Sequence, residues 1–323
     1  MNRRKIDISH RTIIFIASFI LGLWAIFLIR DLLIILFVAV IFMSALAPLV
    51  NFFTKLKLPK ALGIAFTYII VIGIISAVFA SILHPLIEET AKLAATLPSV
   101  FSRFFSNVNL DTSVFQSWLT SLSQNIFSIT LTIFDNILTI IFLLVVTFYL
   151  LLERENLEDR ISALFVGREQ RVRKSIDRIE DKLGGWFRGQ LVLSLIIGAL
   201  TYGGLTALKI PYALPLATVA GVMEVVPVIG PIISAIPAIL IALSISPILS
   251  VGVAALYFVI QQLENHLIVP QVMKRAVGLN PLVVILAIAV GSRLLGFAGA
   301  LLAVPISVVL QIIVSEIIEE RKV

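Results

Sequence analysis

The sequence contains no cysteine and few histidines, and these absences exclude several kinds of site. Without cysteine, none of the 323 residues can form a disulfide or supply a thiolate to a metal. The three histidines, His10, His84 and His266, are far apart in the sequence and lack the spacing of a histidine metal site. We therefore predict neither a bound metal nor a cofactor.

Charged residues are also scarce. Only 14% of the residues are charged, whereas soluble globular domains contain about 25%. Hydrophobic residues make up 59% of the chain, and the mean hydropathy is +1.09. This composition indicates an integral membrane protein. The net charge of +6 comes from basic residues at the ends of apolar segments, a pattern that sets membrane topology, so we predict no nucleic-acid partner.

Motifs of enzymes and ATP-driven pumps are missing. The sequence has no GxSxG and no HExxH, so it offers no nucleophile or zinc site for an intramembrane enzyme. It also lacks the phosphate-binding pattern GxxxxGK[ST]. We predict a protein that is not an enzyme, with any coupling to energy coming from ion gradients or from a separate ATPase.

The apolar runs predict an all-α polytopic membrane protein with about 6–8 transmembrane segments. The chain divides into N-terminal spans at 1–83, an extracytoplasmic helical segment at 84–129, a span at 130–152, a charged cytoplasmic helical segment at 153–188 and a C-terminal core at 189–323. Basic residues before the first span and between the second and third spans place both chain termini in the cytoplasm.

The charged segment at 153–188 contains nine basic and eight acidic residues. Because the two signs alternate along the chain, the segment is typical of a solvated helix, which we expect to lie at the membrane surface.

Glu224 lies in an apolar run from Gly221 to Pro237. A carboxylate near the bilayer centre costs about 2.5–3.5 kcal/mol, so such a residue usually faces a cavity or a partner. Prolines at 227, 231 and 237, together with Gly230, prevent one continuous helix. Broken backbone at membrane depth is tolerated when it is buried in protein or lines a cavity. We therefore predict a substrate or ion path here, built from discontinuous helices.

Two arrangements of this region are open. The arms 211–221 and 231–243 are each too short to span the membrane, so they form either a re-entrant hairpin with Glu224 near its tip or one broken span. The last apolar stretch repeats the spacing, with Pro281 and Gly291 followed by Arg293. If two hairpins enter from opposite faces, Glu224 and Arg293 approach each other near the midplane.

A polar cluster ends the apolar span between these two regions. Gln261, Glu264 and Asn265 have i, i+3, i+4 spacing and are predicted to share one helical face, with Gln262 beside them. They either line a common polar surface or mark an interfacial helix end. We interpret His266 as a hydrogen-bonding residue of this helix end.

Several C-terminal motifs together carry a family resemblance. They are Arg188-Gly189-Gln190, Glu224 through Pro231, Gln262 with Glu264, Pro270, Gly278 through Pro281, and Gly296 through Gly299 followed by Pro305. In these motifs, which cover about the last 140 residues, the chain resembles the autoinducer-2 (AI-2) exporter family of bacterial permeases.

The resemblance implies a secondary transporter of the bacterial inner membrane that exports a small polar solute such as the quorum signal. Some members of the family are assigned sodium or lithium/proton antiport, so an antiporter is the first alternative; a channel or membrane scaffold is the second. Expected partners are the lipid bilayer, the solute or a monovalent cation and proton, and further copies of the chain. The predicted path residues are Glu224, Pro227, Gly230, Pro231, Gln261, Gln262, Glu264, Asn265, Asn280, Pro281 and Arg293.

Overall fold

The computed structural model describes residues 10–105, 137–227, 229–273 and 278–320. Within these ranges all regular secondary structure is helical and no strand occurs, which confirms the predicted all-α fold. The helices are α1 His10–Leu28, α2 Arg30–Lys55, α3 Lys60–Phe105, α4 Ile137–Ala163, α5 Glu169–Ala207, α6 Ala213–Met223, α7 Ile229–Ile245, α8 Pro247–Leu263, a π-helix Glu264–Ile268, α9 Val269–Val272 and α10 Pro281–Glu320.

Six helical stretches of the described chain are long and apolar enough to cross a membrane. They are Arg30–Lys55, Lys60–Val78, Ile137–Ala163, Glu169–Ala207, Pro247–Val272 and Leu282–Ile318. Large apolar side chains such as Leu138 and Ile248, which are 76% and 79% exposed, lie on their outer surfaces. Exposing this much apolar surface to water would be unfavourable, whereas contact with lipid tails is not. The protein is therefore a multi-pass membrane protein, as predicted.

The charged segment is not a separate helix. Its first part continues α4 and its second part begins α5, with a turn at 164–168 between them. Ion pairs join the two extensions: Arg154 bonds to Glu180, and Arg173 contacts Glu158 and Asp159. The alternating charges therefore hold two helical extensions side by side.

A proline in α2 determines how α5 crosses it. Pro48 has no N–H, so the carbonyl of Ser44, four residues earlier, loses its helical donor. Arg188 of α5 donates from Nη1 to this oxygen at 3.1 Å and to the Ala45 oxygen at 3.0 Å. One turn earlier, Gly184 packs against the same Ser44 carbonyl. The guanidinium thus satisfies a carbonyl that the proline leaves free and fixes the register of the two helices.

Helices α6 and α7 form a hairpin. Leu216 and Ala220 of α6 share one apolar cluster with Ala238 and Ile241 of α7, and residues 224–227 form a turn after α6. The chain therefore reverses here, as the hairpin interpretation predicted, and does not continue as one broken span. Val226 of the turn is buried against Ile288, Ala300 and Ala303 of α10.

Helix α10 contains the second reversal. Gly296 has φ +61° and ψ −138°, a conformation that strongly favours glycine, and it separates the arms 281–295 and 297–320. The backbones of Gly291 and Gly299 then approach so closely that a Cβ on either would collide with the carbonyl group of the other. Two small residues at this crossing allow the arms to pack together.

Part of the predicted extracytoplasmic segment is helical, because α3 continues to Phe105. The remainder, 106–129, lies outside the described residues, as do the start of the fourth predicted span at 130–136 and the basic residues Lys274 and Arg275.

The crossing in α10 leads to a stability prediction. We expect Gly291→Ala to lower the free energy of unfolding by about 1–3 kcal/mol, because its methyl group overpacks the Gly299 backbone. Gly73→Ala is the matched control, since a Cβ at Gly73 meets no atom within 4 Å and alanine favours a helix by up to about 1 kcal/mol. Thermal unfolding in detergent measures both. Equal melting temperatures for the two variants would contradict the close crossing.

Candidate functional site

Glu224 lies at the turn of the first hairpin, immediately after α6. It is the C-cap of that helix, and its side chain is only 2% exposed. No donor among the described residues bonds to its Oε2 atom. A buried carboxyl oxygen without a donor is costly and is characteristic of a site that binds something.

Glu264 reaches the same place from another part of the chain. It follows α8 and is the first residue of the π-helix Glu264–Ile268, with 5% of its surface exposed. π-Helical turns are rare and are found frequently at functional sites, because the extra residue in the turn changes the direction of the side chains. Gln261, one turn earlier, donates from Nε2 to Glu264 Oε2 at 3.1 Å.

The carboxyl groups of Glu224 and Glu264 lie close enough to interact directly with each other. Ionised carboxylates only accept hydrogen bonds, so a bond between two of them needs a proton. Two negative charges about 4 Å apart repel by about 4 kcal/mol at an effective dielectric constant of about 20. The pair is therefore suited to hold one proton, or one cation, between its oxygens.

Gln190 of α5 holds the hairpin turn in place. Its Nε2 donates to the backbone oxygen of Glu224 at 2.8 Å, and both groups are buried. The Glu224 carbonyl lies just past the end of α6, where backbone oxygens lack helical donors. The amide of Gln190 satisfies this oxygen and links α5 to the residue that carries the carboxyl group.

A small cavity of about 10 Å³ lies beside the pair. Its polar lining comes from four elements: Thr201 of α5, Ser234 of α7, Tyr257 and Gln261 of α8, and Glu264 of the π-helix. Pro231 of the first hairpin also lines the cavity. This volume is close to the minimum for one water molecule.

Three other predicted residues belong to the first hairpin. Pro227 is half-buried in the turn, and Pro231 lines the cavity. Gly230 packs against the Met223 carbonyl, where a Cβ would collide with the oxygen. The structure therefore brings Glu224, Pro231, Gln261 and Glu264 together, with Pro227 and Gly230 shaping the turn.

The remaining predicted residues lie elsewhere. Gln262 and Asn265 are exposed, and Asn265 leaves the face of Gln261 and Glu264 where the π-helix begins. Asn280 is exposed and its Oδ1 accepts a hydrogen bond from the Leu282 N–H, so it caps the start of α10, whose first residue is Pro281. Arg293 is exposed and forms no ion pair with Glu224. The first hairpin touches the arms of the second through Val226, not through Arg293.

The sequence prediction missed three polar residues of α5. Gln190, Ser194 and Thr201 occur four and seven residues apart in an apolar run, so they lie along one face of the helix. The Oγ of Ser194 and the Oγ1 of Thr201 are buried without a partner among the described residues. Their spacing could have identified a shared polar face. Isolated serine, threonine and glutamine residues are common in apolar helices, however, so the spacing alone does not single out a site.

Metal chelation finds no support in the part of the chain that the structure describes. No group of three or more His, Asp or Glu side chains there is arranged to hold a metal ion. The carboxyl pair, with its glutamine and hydroxyl neighbours, suits a proton, a monovalent cation or a hydroxylated solute better than a tightly chelated divalent ion.

Comparisons with known proteins match this chain to transport proteins. Residues 13–319 match the family described as AI-2E family transporter. A Haemophilus influenzae protein named "Putative transport protein" is 25% identical over 94% of this chain and 92% of its own length. "AI-2 transport protein TqsA" of Escherichia coli is 27% identical over 86% of this chain and 82% of its own. "Putative transport protein YrrI" of Bacillus subtilis is 35% identical, but over only 44% of this chain and 40% of that protein.

The link from Gln190 to Glu224 leads to a second stability prediction. We expect Gln190→Leu to lower the free energy of unfolding by about 1–3 kcal/mol, because the buried Glu224 carbonyl loses its donor. Gln262→Leu is the matched control, since Gln262 is exposed and its side chain supports no buried group. Thermal unfolding in detergent compares the two, and an unchanged melting temperature for Gln190→Leu would refute the link.

Proposed function

Because the chain belongs to the AI-2E transporter family, we propose that it is a proton-coupled secondary transporter in which the Glu224–Glu264 pair exchanges a proton for cargo. The observation that carries this proposal is the contact between two buried carboxyl groups from separate helices. A transporter that exchanges a proton for its cargo needs a site that binds either the proton or the cargo, and never both at once. A carboxyl pair that must be neutralised in part meets that requirement.

Burial makes the exchange compulsory. At 2% and 5% exposure, neither carboxyl group can be neutralised by bulk water or salt. Removing the proton without supplying another positive charge would leave two adjacent negative charges in an apolar environment. The protein therefore switches between its inward-facing and outward-facing states only when a proton or a cation occupies the pair.

Size favours a monovalent cation as the cargo. The cavity beside the pair has a volume of about 10 Å³, which is far too small for an organic solute. The carboxyl oxygens of Glu224 and Glu264 are hard ligands that suit sodium or lithium. In this form the protein is a sodium or lithium/proton antiporter.

Export of a small polar solute is the second candidate. The relative TqsA, which aligns with most of this chain, is named an AI-2 transport protein. The amides of Gln190 and Gln261 and the hydroxyls of Ser194 and Thr201 lie on the helices around the pair. Separation of the hairpins would turn these groups into a surface that hydrogen-bonds a hydroxylated molecule.

Several features of the proposal follow from membrane topology. We place the protein in the bacterial inner membrane with both termini in the cytoplasm, and the charged extensions of α4 and α5 on the same side. We expect copies of the chain to associate through some of the exposed apolar helix surfaces.

Proton movement in liposomes tests the function. Protein is reconstituted into vesicles that contain a pH-sensitive dye, and a sodium or lithium gradient is imposed. We expect cation-dependent proton movement in the wild type and its loss in Glu224→Gln and in Glu264→Gln, since each variant retains only one ionisable carboxyl group. Parallel vesicles containing labelled AI-2 report on the second candidate.

Glu155→Gln is the matched control. Glu155 lies on the charged extension of α4, its side chain is 83% exposed, and its ion-pair partner among the described residues is Lys60. This variant should transport protons at the wild-type rate. Proton movement that survives in both pair variants would show that the carboxyl pair is not the coupling site.

A further inference from the structure

Thr201 of α5 is a fully buried polar side chain near the carboxyl pair. The residue is 0% exposed, and its Oγ1 has no hydrogen-bonding partner among the described residues. Thr67 satisfies its hydroxyl within its own helix, by donating to the Gly63 oxygen at 2.8 Å. The buried Thr147 hydroxyl of α4 also lacks a partner among the described residues, so a missing bond alone does not define a site. Thr201 differs from Thr147 because it lines a cavity together with other polar side chains.

The Thr201 residue lines the small cavity beside Glu264. Tyr257 also lines the cavity, and its hydroxyl donates to the Ser234 backbone oxygen at 3.4 Å, the outer limit of a hydrogen bond. The Tyr257 hydroxyl therefore also has bonding capacity to spare. Gln261 and Glu264 complete the polar lining.

These features match what a buried water molecule needs. A water requires about 10–15 Å³ of space and two to four polar partners. The cavity provides about 10 Å³, and the partners are Thr201, Tyr257, Gln261 and Glu264. The titratable side chains that line the cavity are Glu264 and Tyr257, and Glu224 contacts Glu264 from the first hairpin.

We infer that this cavity is a site for one water molecule, positioned by the Thr201 hydroxyl, through which protons reach and leave Glu264. The inference rests on the proposed proton-coupled function and identifies the place where protons enter the carboxyl pair. Thr201 is a positioning residue, because it orients the water and does not itself gain or lose charge.

The transfer step is balanced. An incoming proton forms a new O–H bond on the side of the water that faces away from Glu264. The O–H bond that faces Glu264 breaks, and that proton joins the carboxylate oxygen. The water is regenerated, and Glu264 gains one proton. In release, the same bonds form and break in the opposite order.

The test measures proton flux in liposomes under a sodium or lithium gradient for the wild type, Thr201→Val, Thr201→Ser, Thr147→Val and Glu264→Gln. Valine has the shape of threonine but no hydroxyl, whereas serine retains the hydroxyl. Thr147 is the matched control: it is 1% exposed, lies on α4, has an Oγ1 that also lacks a partner among the described residues, and does not line the cavity.

We expect Thr201→Val to slow proton movement by at least about tenfold, since general acid–base steps contribute factors of this size or more. The cation concentration for half-maximal rate should not change, because the carboxyl pair is intact. Thr201→Ser should recover most of the rate, and Thr147→Val should match the wild type. If Thr201 had a purely structural role, its substitution would not lower the transport rate while leaving the apparent cation affinity unchanged.

Two outcomes overturn the inference alone. In the first outcome, the wild type moves protons, Glu264→Gln does not, and Thr201→Val moves them at the wild-type rate. The other is equal slowing by Thr147→Val. If Thr201→Val does not fold, Tyr257→Phe replaces it, with slower proton movement as the expected result and the wild-type rate as the refuting one. Absence of proton movement in the wild type would overturn both the proposed function and the water site.

Discussion

Two carboxyl groups that meet away from water are the constraint on which the transport core depends. Glu224 comes from the turn of a hairpin and Glu264 from a π-helical turn 40 residues later, and both are almost completely buried. Neither would be stable there alone as a charge. Two adjacent buried carboxyl groups are expected to be stable with one proton or one cation bound. The pair is thus a cost to the fold, and we propose that it is also the coupling site of transport.

The surrounding helices stabilise the hairpin turn through backbone hydrogen bonds and apolar packing, and these contacts do not involve the two carboxyl groups. Gln190 satisfies the free carbonyl at the hairpin turn, and Val226 packs the turn onto α10. Arg188, two residues before Gln190, fixes α5 to the carbonyls near Pro48 of α2. One short segment of α5 therefore connects the outer helices to the hairpin that carries Glu224. A movement of α5 relative to α2 would be transmitted to the carboxyl pair, which is a requirement for alternating access.

The sequence predicts those parts of the fold that depend on local composition. Long apolar runs identify the spanning helices, and the prolines and glycines between 221 and 237 identify the first hairpin. Glu224 is recognisable because an acid is rare in such a run. The contact with Glu264 is not predictable from local pattern, because it joins residues that only tertiary packing brings together. The π-helix also escapes detection: regular helical spacing places Asn265 beside Glu264, whereas the wider turn leaves it exposed. The sequence does not distinguish Thr201 from other helical threonines, because its unpaired hydroxyl is a property of the tertiary structure.

The central claim is that the pair holds one proton and gives it up when cargo binds. The most direct test is to add sodium or lithium chloride to detergent-solubilised protein in weakly buffered solution and to count the protons released. The claim predicts release of up to about one proton per chain, saturating with the cation, and no release from the Glu224→Gln, Glu264→Gln double variant. Cation binding without proton release, or equal release from the double variant, would contradict it.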